Sequence, residues 1–236
     1  MQTPKILVFD LETCGVSFKA NSGFLLCAGI KELGKPVQLL VRDNIQPDPL
    51  NDKKLCKEVA SLLSSADMWV THNGKWFDVK YLNSRLLKWG LPPLPSIPHF
   101  DTCETGFKKL AIKNSLKEMG KYLGCKTSKY EVSMDEWVRA YAGDKKAMSE
   151  IVKHCKQDVE LTEQVYLRLR PFGHNPPNLS LIYGDDRNCP HCGAKDSLKK
   201  NGYKLAIVGK AQRYQCRKCG GYARDAYKQT EVKRRP

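Results

Sequence analysis

Apolar and polar positions change rhythm along the chain. Lys5–Phe9 (KILVF) is a short, branched-rich apolar run suited to a buried strand, and Phe24–Ile30 and Val37–Val41 read as two more. A helical stretch follows over Asp52–Ser64, then a strand at Met68–Thr71. An amphipathic helix runs from about Trp76 to Trp89 with Val79, Leu82 and Leu86 on one face. Gly90 and the prolines at 92, 93, 95 and 98 end it. After a short apolar segment at His99–Asp101, helices are expected near Glu104–Ile112, Ser115–Leu123, Met134–Ala142 and Asp144–Leu169. Three strands followed by alternating helices and strands predict an α/β layer fold with a mixed sheet flanked by helices.

The pattern breaks at Pro171–Ser180 (PFGHNPPNLS), where three prolines and a glycine leave no apolar period, as in a linker. The expected organisation is therefore a first domain over 1–170, a linker over 171–184, a second unit over 185–228 and a basic tail over 229–236. The second unit, about fifty residues, is too small to rely on an apolar core alone. The closing EVKRRP holds nothing that could be buried and should fray.

Composition adds two points. The hydrophobic fraction of 41% and charged fraction of 28% are globular values, and no apolar run approaches the ~18 residues that span a bilayer. MQTPKILVFD lacks the basic start and small-residue cleavage site of a signal peptide, so an intracellular protein is expected. The formal net charge is +15, of which +9 lies in Gly184–Pro236 and +6 before it. So dense a basic stretch fits contact with phosphate backbones; the bland reading is a merely soluble, basic surface.

Four acids stand out by position. Asp10 and Glu12 lie two residues apart at the end of the first strand, so their side chains emerge on one face. Asp78 falls in the first turn of the helix after Met68–Thr71. Asp158 lies on the last long helix, one turn beyond His154. Singly, each acid could be an ordinary cap or a solvated neighbour. Together, carboxylates gathered in one pocket repel one another unless cations neutralise them, and hard oxygen donors favour Mg²⁺ or Mn²⁺. Two such ions can hold a phosphodiester between them.

FDLET (Phe9–Thr13), HNGKWFD (His72–Asp78) and HCKQDVEL (His154–Leu161) resemble, in order, the three motifs of the DEDD exonuclease superfamily. This is the ribonuclease-H-like group that includes polymerase proofreading domains. Asp101–Gly124 also resembles the stretch between the second and third motifs, and the likeness covers about residues 5 to 170. It implies a ribonuclease-H-like fold and Asp10, Glu12, Asp78 and Asp158 as ligands of two catalytic ions. It also implies His154 as the general base, a role that suits an imidazole near neutral pH. His154 stands from Asp158 at the spacing of the tyrosine subfamily rather than the histidine one. Asn73 and Phe77 match positions that support or border the site. Asp101 is read as structural, since Asp78 fills the third ligand position.

Six of the ten cysteines are scattered singly, as buried reduced thiols are. The other four form Cys189-x-x-Cys192 and Cys216-x-x-Cys219, two knuckles 23 residues apart and each followed by glycine. This spacing predicts a zinc ribbon holding one structural Zn²⁺, with His191 left out of the ligand set. Lys199, Lys200, Lys204, Arg213, Tyr214, Arg217 and Lys218 are the candidate nucleic-acid contacts, cations for phosphates and aromatic rings for bases. The segment is similar to zinc ribbons of transposase-type and other DNA-binding proteins. A ribbon that docks protein, or only stabilises, is the bland reading.

The expected function is a metal-dependent 3′→5′ exonuclease on single-stranded DNA, its polarity and substrate implied by the resemblance alone. An exoribonuclease and a non-catalytic nucleic-acid-binding module are the alternatives. Expected partners are DNA 3′ ends and a separate polymerase or a replication or repair protein, with no membrane. No polymerase domain fits in 236 residues, so any proofreading would act in trans.

Overall fold

The structure, a computed structural model, describes residues 4–15, 19–42, 51–128, 130–185, 187–206, 209–226 and 228–229. It divides into two compact units, Pro4–Leu169 and the chain from Arg170 onward.

The first unit is built on five strands, β1 (Ile6–Gly15), β2 (Gly23–Glu32), β3 (Gln38–Val41), β4 (Met68–Thr71) and β5 (His99–Asp101). They lie in the order β3-β2-β1-β4-β5. β1 pairs antiparallel with β2 and parallel with β4, β2 is antiparallel to β3, and β4 is parallel to β5. The helices are α1 (Lys53–Ser64), α2 (Asp78–Lys88), α3 (Thr102–Lys109), α4 (Leu116–Tyr122), α5 (Met134–Tyr141) and α6 (Lys145–Leu169). This is the mixed sheet flanked by helices that the pattern predicts.

Two apolar layers clamp the sheet. Leu7, Phe9 and Leu11 of β1 pack with Leu55, Val59 and Leu63 of α1 and with Leu82 and Leu86 of α2. On the other side Phe24, Leu26 and Cys27 of β2 meet Ala140 of α5 and Met148, Ile151 and Cys155 of α6. Side chains alternate along a strand, so the odd residues of β1 take the α1 side. Asp10 and Glu12 are thereby turned toward the side where α6 lies. Gly29 of β2 lets α6 come close, because a Cβ there would stand 2.9 Å from Val159 Cγ2 and 3.1 Å from Cys155 Sγ.

β1 runs six residues beyond the apolar run that signals it. Its polar half stays in the sheet because it pairs with a β2 buried along almost its whole length, through Asp10↔Gly29, Glu12↔Cys27 and Cys14↔Phe24. The register slips between Glu12 and Thr13, a bulge that ends the regular stretch beside the acids. α2 starts two residues later than the amphipathic pattern indicates, because residues 72–77 form a turn around Asn73, whose φ is 68°.

A buried ion pair that no motif marks ties α1, α2 and β2 together. Asp52 accepts from Arg85 Nε at 2.9 Å, Arg85 Nη2 at 2.7 Å, Trp89 Nε1 at 2.7 Å and the Leu25 amide at 2.7 Å.

The second unit opens with a 3-10 turn (Arg170–Phe172) and α7 (Leu179–Ile182), followed by β6 (Leu198–Ala206), β7 (Gly209–Cys216), β8 (Tyr222–Arg224) and β9 (Lys228–Gln229). β7 pairs antiparallel with each of the other three. Part of the segment read as linker belongs to this unit. Leu179 is buried and its amide donates to the Pro190 carbonyl at 2.9 Å, an anchor that proline content alone does not reveal. Of the tail over 229–236, only Gln229 is among the described residues, and EVKRRP lies outside them.

Candidate functional sites

The first site forms at the end of β1. Asp10 and Glu12 offer carboxylate oxygens within 4.8 Å of each other and of Cys155 Sγ. Asp78, the first residue of α2, accepts from the Leu11 amide at 2.8 Å, so it docks on the strand between the two acids. α6 brings His154 and Asp158 from above. His154 Nε2 lies 3.6 Å from Glu12 Oε1 and 3.7 Å from Asp158 Oδ2. Asp10, Glu12, Asp78, His154 and Asp158, spread over three elements, are thus brought to one place.

Burial sets the electrostatics. Glu12, Asp78 and Asp158 are only 8%, 3% and 5% exposed, so three carboxylates share an interior with little water. Burial pushes the Asp78 carboxyl up to about 7, with Asp101 adding to the rise, while the Leu11 N–H pulls it down. Such a cluster with all its charges on is costly by itself, and a divalent cation removes that cost. The donors that face one another are hard carboxylate oxygens, which fit Mg²⁺ or Mn²⁺. Cys155, which lies beside Asp10 and Glu12, is a poor additional donor. Its thiol, hydrogen-bonded with Cys27 and fully buried, titrates well above its usual range, and its Sγ reaches the Asp10 carbonyl at 3.6 Å.

His154 is buried rather than facing solvent. Its Nδ1 bonds the backbone carbonyl of Tyr130, which can only accept, so Nδ1 carries the proton. In the neutral ring Nε2 is then an acceptor aimed at Glu12 and Asp158. A backbone acceptor has no sequence signature, so this partner could not be read beforehand.

Asp101 takes the structural place assigned to it. Its carboxylate accepts from the amides of Asn73 at 3.0 Å, Lys75 at 3.1 Å and Glu104 at 3.1 Å, holding the turn before Asp78 and capping α3. Two cavities flank the acids. One, of about 560 Å³, is polar and reaches from Asp10 and Asp158 to His72, Asn73 and Asn114. The other, of about 510 Å³, runs from Leu11 and Glu12 past Phe77 to Met134, Trp137 and Tyr141. The apolar stripe of α5 at 134, 137, 138 and 141 is the sequence signal for this second cavity.

In the second unit Cys189, Cys192, Cys216 and Cys219 bring their Sγ atoms within 4.8 Å of one another. Cys189 and Cys219 stand 3.7 Å apart and Cys192 and Cys216 3.8 Å. Four sulfurs at about 2.3 Å from one Zn²⁺ would be about 3.8 Å apart, whereas a disulfide needs about 2.05 Å. The knuckles repeat one backbone pattern. Gly193 and Gly220, with φ of 69° and 74°, donate to the Cys189 and Cys216 carbonyls at 2.8 and 3.0 Å. These left-handed positions suit glycine. Burial opposes ionisation of Cys216, but the Ser197 hydroxyl and the amides of Cys219 and Lys218 draw its thiol down to about 6. His191 Nε2 is 2.8 Å from the Tyr222 carbonyl and stays outside the thiol set.

The strand register sets Lys200 and Tyr214 on the face of the ribbon sheet opposite Lys199, Lys204 and Arg213. Lys199, Lys200, Lys204, Arg213 and Tyr214 lie on β6 and β7, and Arg217 and Lys218 lie in the second knuckle.

A parallel β1–β4–β5 core, an antiparallel β1–β2–β3 edge and acids from β1, α2 and α6 define a ribonuclease-H-like, nuclease-type hydrolase. Comparison with known families agrees. The model of the RNase H superfamily matches residues 7–170, and the chain belongs to that superfamily. The chain is also similar to a PolC-type DNA polymerase III of Ureaplasma parvum serovar 3 (strain ATCC 700970), at 28% identity over 152 residues. That match takes in 55% of this chain and 10% of the relative, so the chain spans about a tenth of the relative's length. Among the described residues no helix is long and apolar enough to cross a membrane.

Proposed function

We propose that this protein is a 3′→5′ exonuclease that removes nucleotides from single-stranded DNA. The observation that carries the reading is the gathering of Asp10, Glu12, Asp78 and Asp158 at the end of β1, beside a histidine whose Nε2 faces Glu12 and Asp158 at 3.6 and 3.7 Å. Two Mg²⁺ or Mn²⁺ ions held by these four carboxylates would neutralise the cluster and the phosphodiester and polarise the phosphorus–oxygen bonds.

The chain's own residues do the rest. The Tyr130 carbonyl keeps the proton on His154 Nδ1, and Nε2 accepts a proton as a water oxygen attacks phosphorus. The bond from phosphorus to the 3′-oxygen of the neighbouring nucleotide breaks. That oxygen takes a proton from solvent, releasing a nucleoside 5′-monophosphate and a strand one residue shorter. Phe77, Trp137 and Tyr141 offer the terminal base an apolar cavity next to Glu12. The polar cavity lined by His72, Asn73 and Asn114 suits the sugar-phosphate backbone.

The PolC-type relative favours DNA over RNA and a polymerase, or another replication or repair protein, as partner. One structural Zn²⁺ on Cys189, Cys192, Cys216 and Cys219 completes the cofactor set. The reading places the protein inside the cell, where free strand ends occur.

The test is digestion of 5′-labelled single- and double-stranded DNA and RNA with Mg²⁺ or Mn²⁺. A ladder shortening from the 3′ end, with mononucleotide release on DNA, is expected. Internal cuts, or shortening from the 5′ end, would overturn the reading; faster digestion of RNA would make the protein an exoribonuclease.

A further inference from the structure

The register of the ribbon sheet separates its cations. Residues directly opposed in an antiparallel pair share a face. Lys199 pairs with Gln215 and Gln215 with Tyr222, Arg213 pairs with Arg224, and Lys204 pairs with Ala211. Lys199, Lys204, Arg213, Arg224 and Tyr222 therefore stand on one face, and all five are exposed. Lys200, Tyr203, Lys210 and Tyr214 stand on the other. There the Tyr214 hydroxyl donates to Asp225 at 3.2 Å, so the acid nearest the strands serves that side. β6, β7 and β8 themselves contain no Asp or Glu.

Arg213 is held in place. Its Nε donates to the Asn201 carbonyl at 2.8 Å and its Nη2 to Asn201 Oδ1 at 3.2 Å. Asn201 Nδ2 in turn donates to Gln215 at 3.3 Å. A guanidinium has five N–H donors in a fixed fork, so two such bonds leave donors for a phosphate. Gly202, at φ 67° in the irregular stretch of β6 between Lys200 and Tyr203, carries no side chain, and a Cβ there would lie 3.7 Å from Arg213 Nη2. The guanidinium carbon is 5.6 Å from the centroid of the Tyr222 ring, which is 54% exposed.

We propose that this face, with Arg213 and Tyr222 at its centre and Lys199, Lys204 and Arg224 around them, binds a single nucleic-acid strand. The cations take successive phosphates, and the Tyr222 ring stacks on a base. An exposed ring stacks on an unpaired base without the cost of prising a duplex step apart, so the occupant is single-stranded. Tyr222 and Arg224 thereby join the binding set, while Lys200 and Tyr214 leave it. The proposal rests on the nucleic-acid reading above.

The test uses the full chain and fluorescence anisotropy with labelled oligothymidylate and oligouridylate of about 20 nucleotides, without Mg²⁺ or Mn²⁺ so that the strand is not consumed. Arg213→Gln with Arg224→Gln is compared with Lys200→Gln plus Lys210→Gln, which removes the same charge from the opposite face. The first pair should weaken binding at least tenfold and lower the salt slope by about 1.4; the second should change affinity less than twofold. Tyr222→Ala should weaken single-strand binding and leave duplex binding unchanged. Equal losses from both faces, or none from either, would overturn the proposal. Zinc content reports the ribbon's integrity, and Lys199→Gln with Arg224→Gln repeats the test if Arg213→Gln disturbs it. Cleavage of a dinucleotide with Mg²⁺ is read separately. Its failure in the parent protein would sink the exonuclease reading and leave the binding result standing.

Discussion

The Leu11 amide donates to Asp78 Oδ1 at 2.8 Å, so the strand that carries Asp10 and Glu12 also orients the acid from α2. One bond fixes the distance between two motifs 67 residues apart in sequence. Asp78→Asn keeps an oxygen for that N–H and removes the charge. The fold should survive and the activity with Mg²⁺ should fall at least about 100-fold, the scale of several kcal/mol of charge stabilisation. Steady-state rates together with thermal melting check this; full activity would remove Asp78 from the site.

Gly29 sets how close α6, and with it Asp158, comes to the sheet. A Cβ at 2.9 Å from Val159 Cγ2 and 3.1 Å from Cys155 Sγ forces one element to give way. Gly29→Ala should cost about 1–3 kcal/mol of stability, the scale of overpacking. It should also weaken Mn²⁺ binding by isothermal titration. Loss of stability with unchanged metal affinity would mean that the core relaxes without moving Asp158.

Much of this arrangement was legible in the chain. The Met68–Thr71 strand has the limits its apolar run predicts, and the α6 pattern is off by one residue. Two acids at alternate positions of β1 and a histidine one turn before Asp158 are local patterns, and local patterns survive folding. What could not be read depends on partners far away in sequence. The polar end of β1 is a strand only because β2 lies beside it, and the tautomer of His154 is set by a main-chain carbonyl. The two faces of the basic sheet follow from register, which composition does not contain.

Asp52 and Arg85 illustrate the same limit and make a strong stability prediction. Their bidentate pair is fully buried, with side chains 0% and 1% exposed. Removing one partner strands the other charge in the core, which costs about 3–5 kcal/mol. Asp52→Ala should therefore lose far more in urea unfolding than a double replacement of Asp52 and Arg85 by apolar residues. Equal losses would show that the charge is relieved by water instead.

His99 gives a pH signature. Burial, with Lys75 nearby, lowers its pKa from 6.5 to about 4, although Asp101 and Glu104 pull the other way. The unfolded chain thus takes up a proton near pH 6.5 that the fold refuses until about pH 4. The stability tied to neutral His99 is complete above that window and is lost as pH falls through it. Its size is at most about 3 kcal/mol for a shift of this extent. His99→Gln cannot titrate, so its urea midpoint should fall less than the parent's between pH 7.5 and pH 4.5. Parallel losses would place the acid sensitivity elsewhere.

The four thiols predict a metal requirement in the ribbon that differs from the one at the acids. Sulfurs 3.7 and 3.8 Å apart leave room for one tetrahedral ion and not for a disulfide. A unit of this size without that ion has too small an apolar core to hold β6–β8, since Ala211 and Cys216 are its buried apolar residues on β7. The purified protein should contain one zinc per chain. Cys216→Ser should lose it, because a hydroxyl then replaces one of the four sulfurs that hold the ion. Zinc removal should abolish single-strand binding by the ribbon while Mg²⁺-dependent cleavage of a dinucleotide persists, since the carboxylates draw no ligand from the cysteines. Loss of both activities together would show that zinc supports the nuclease unit as well.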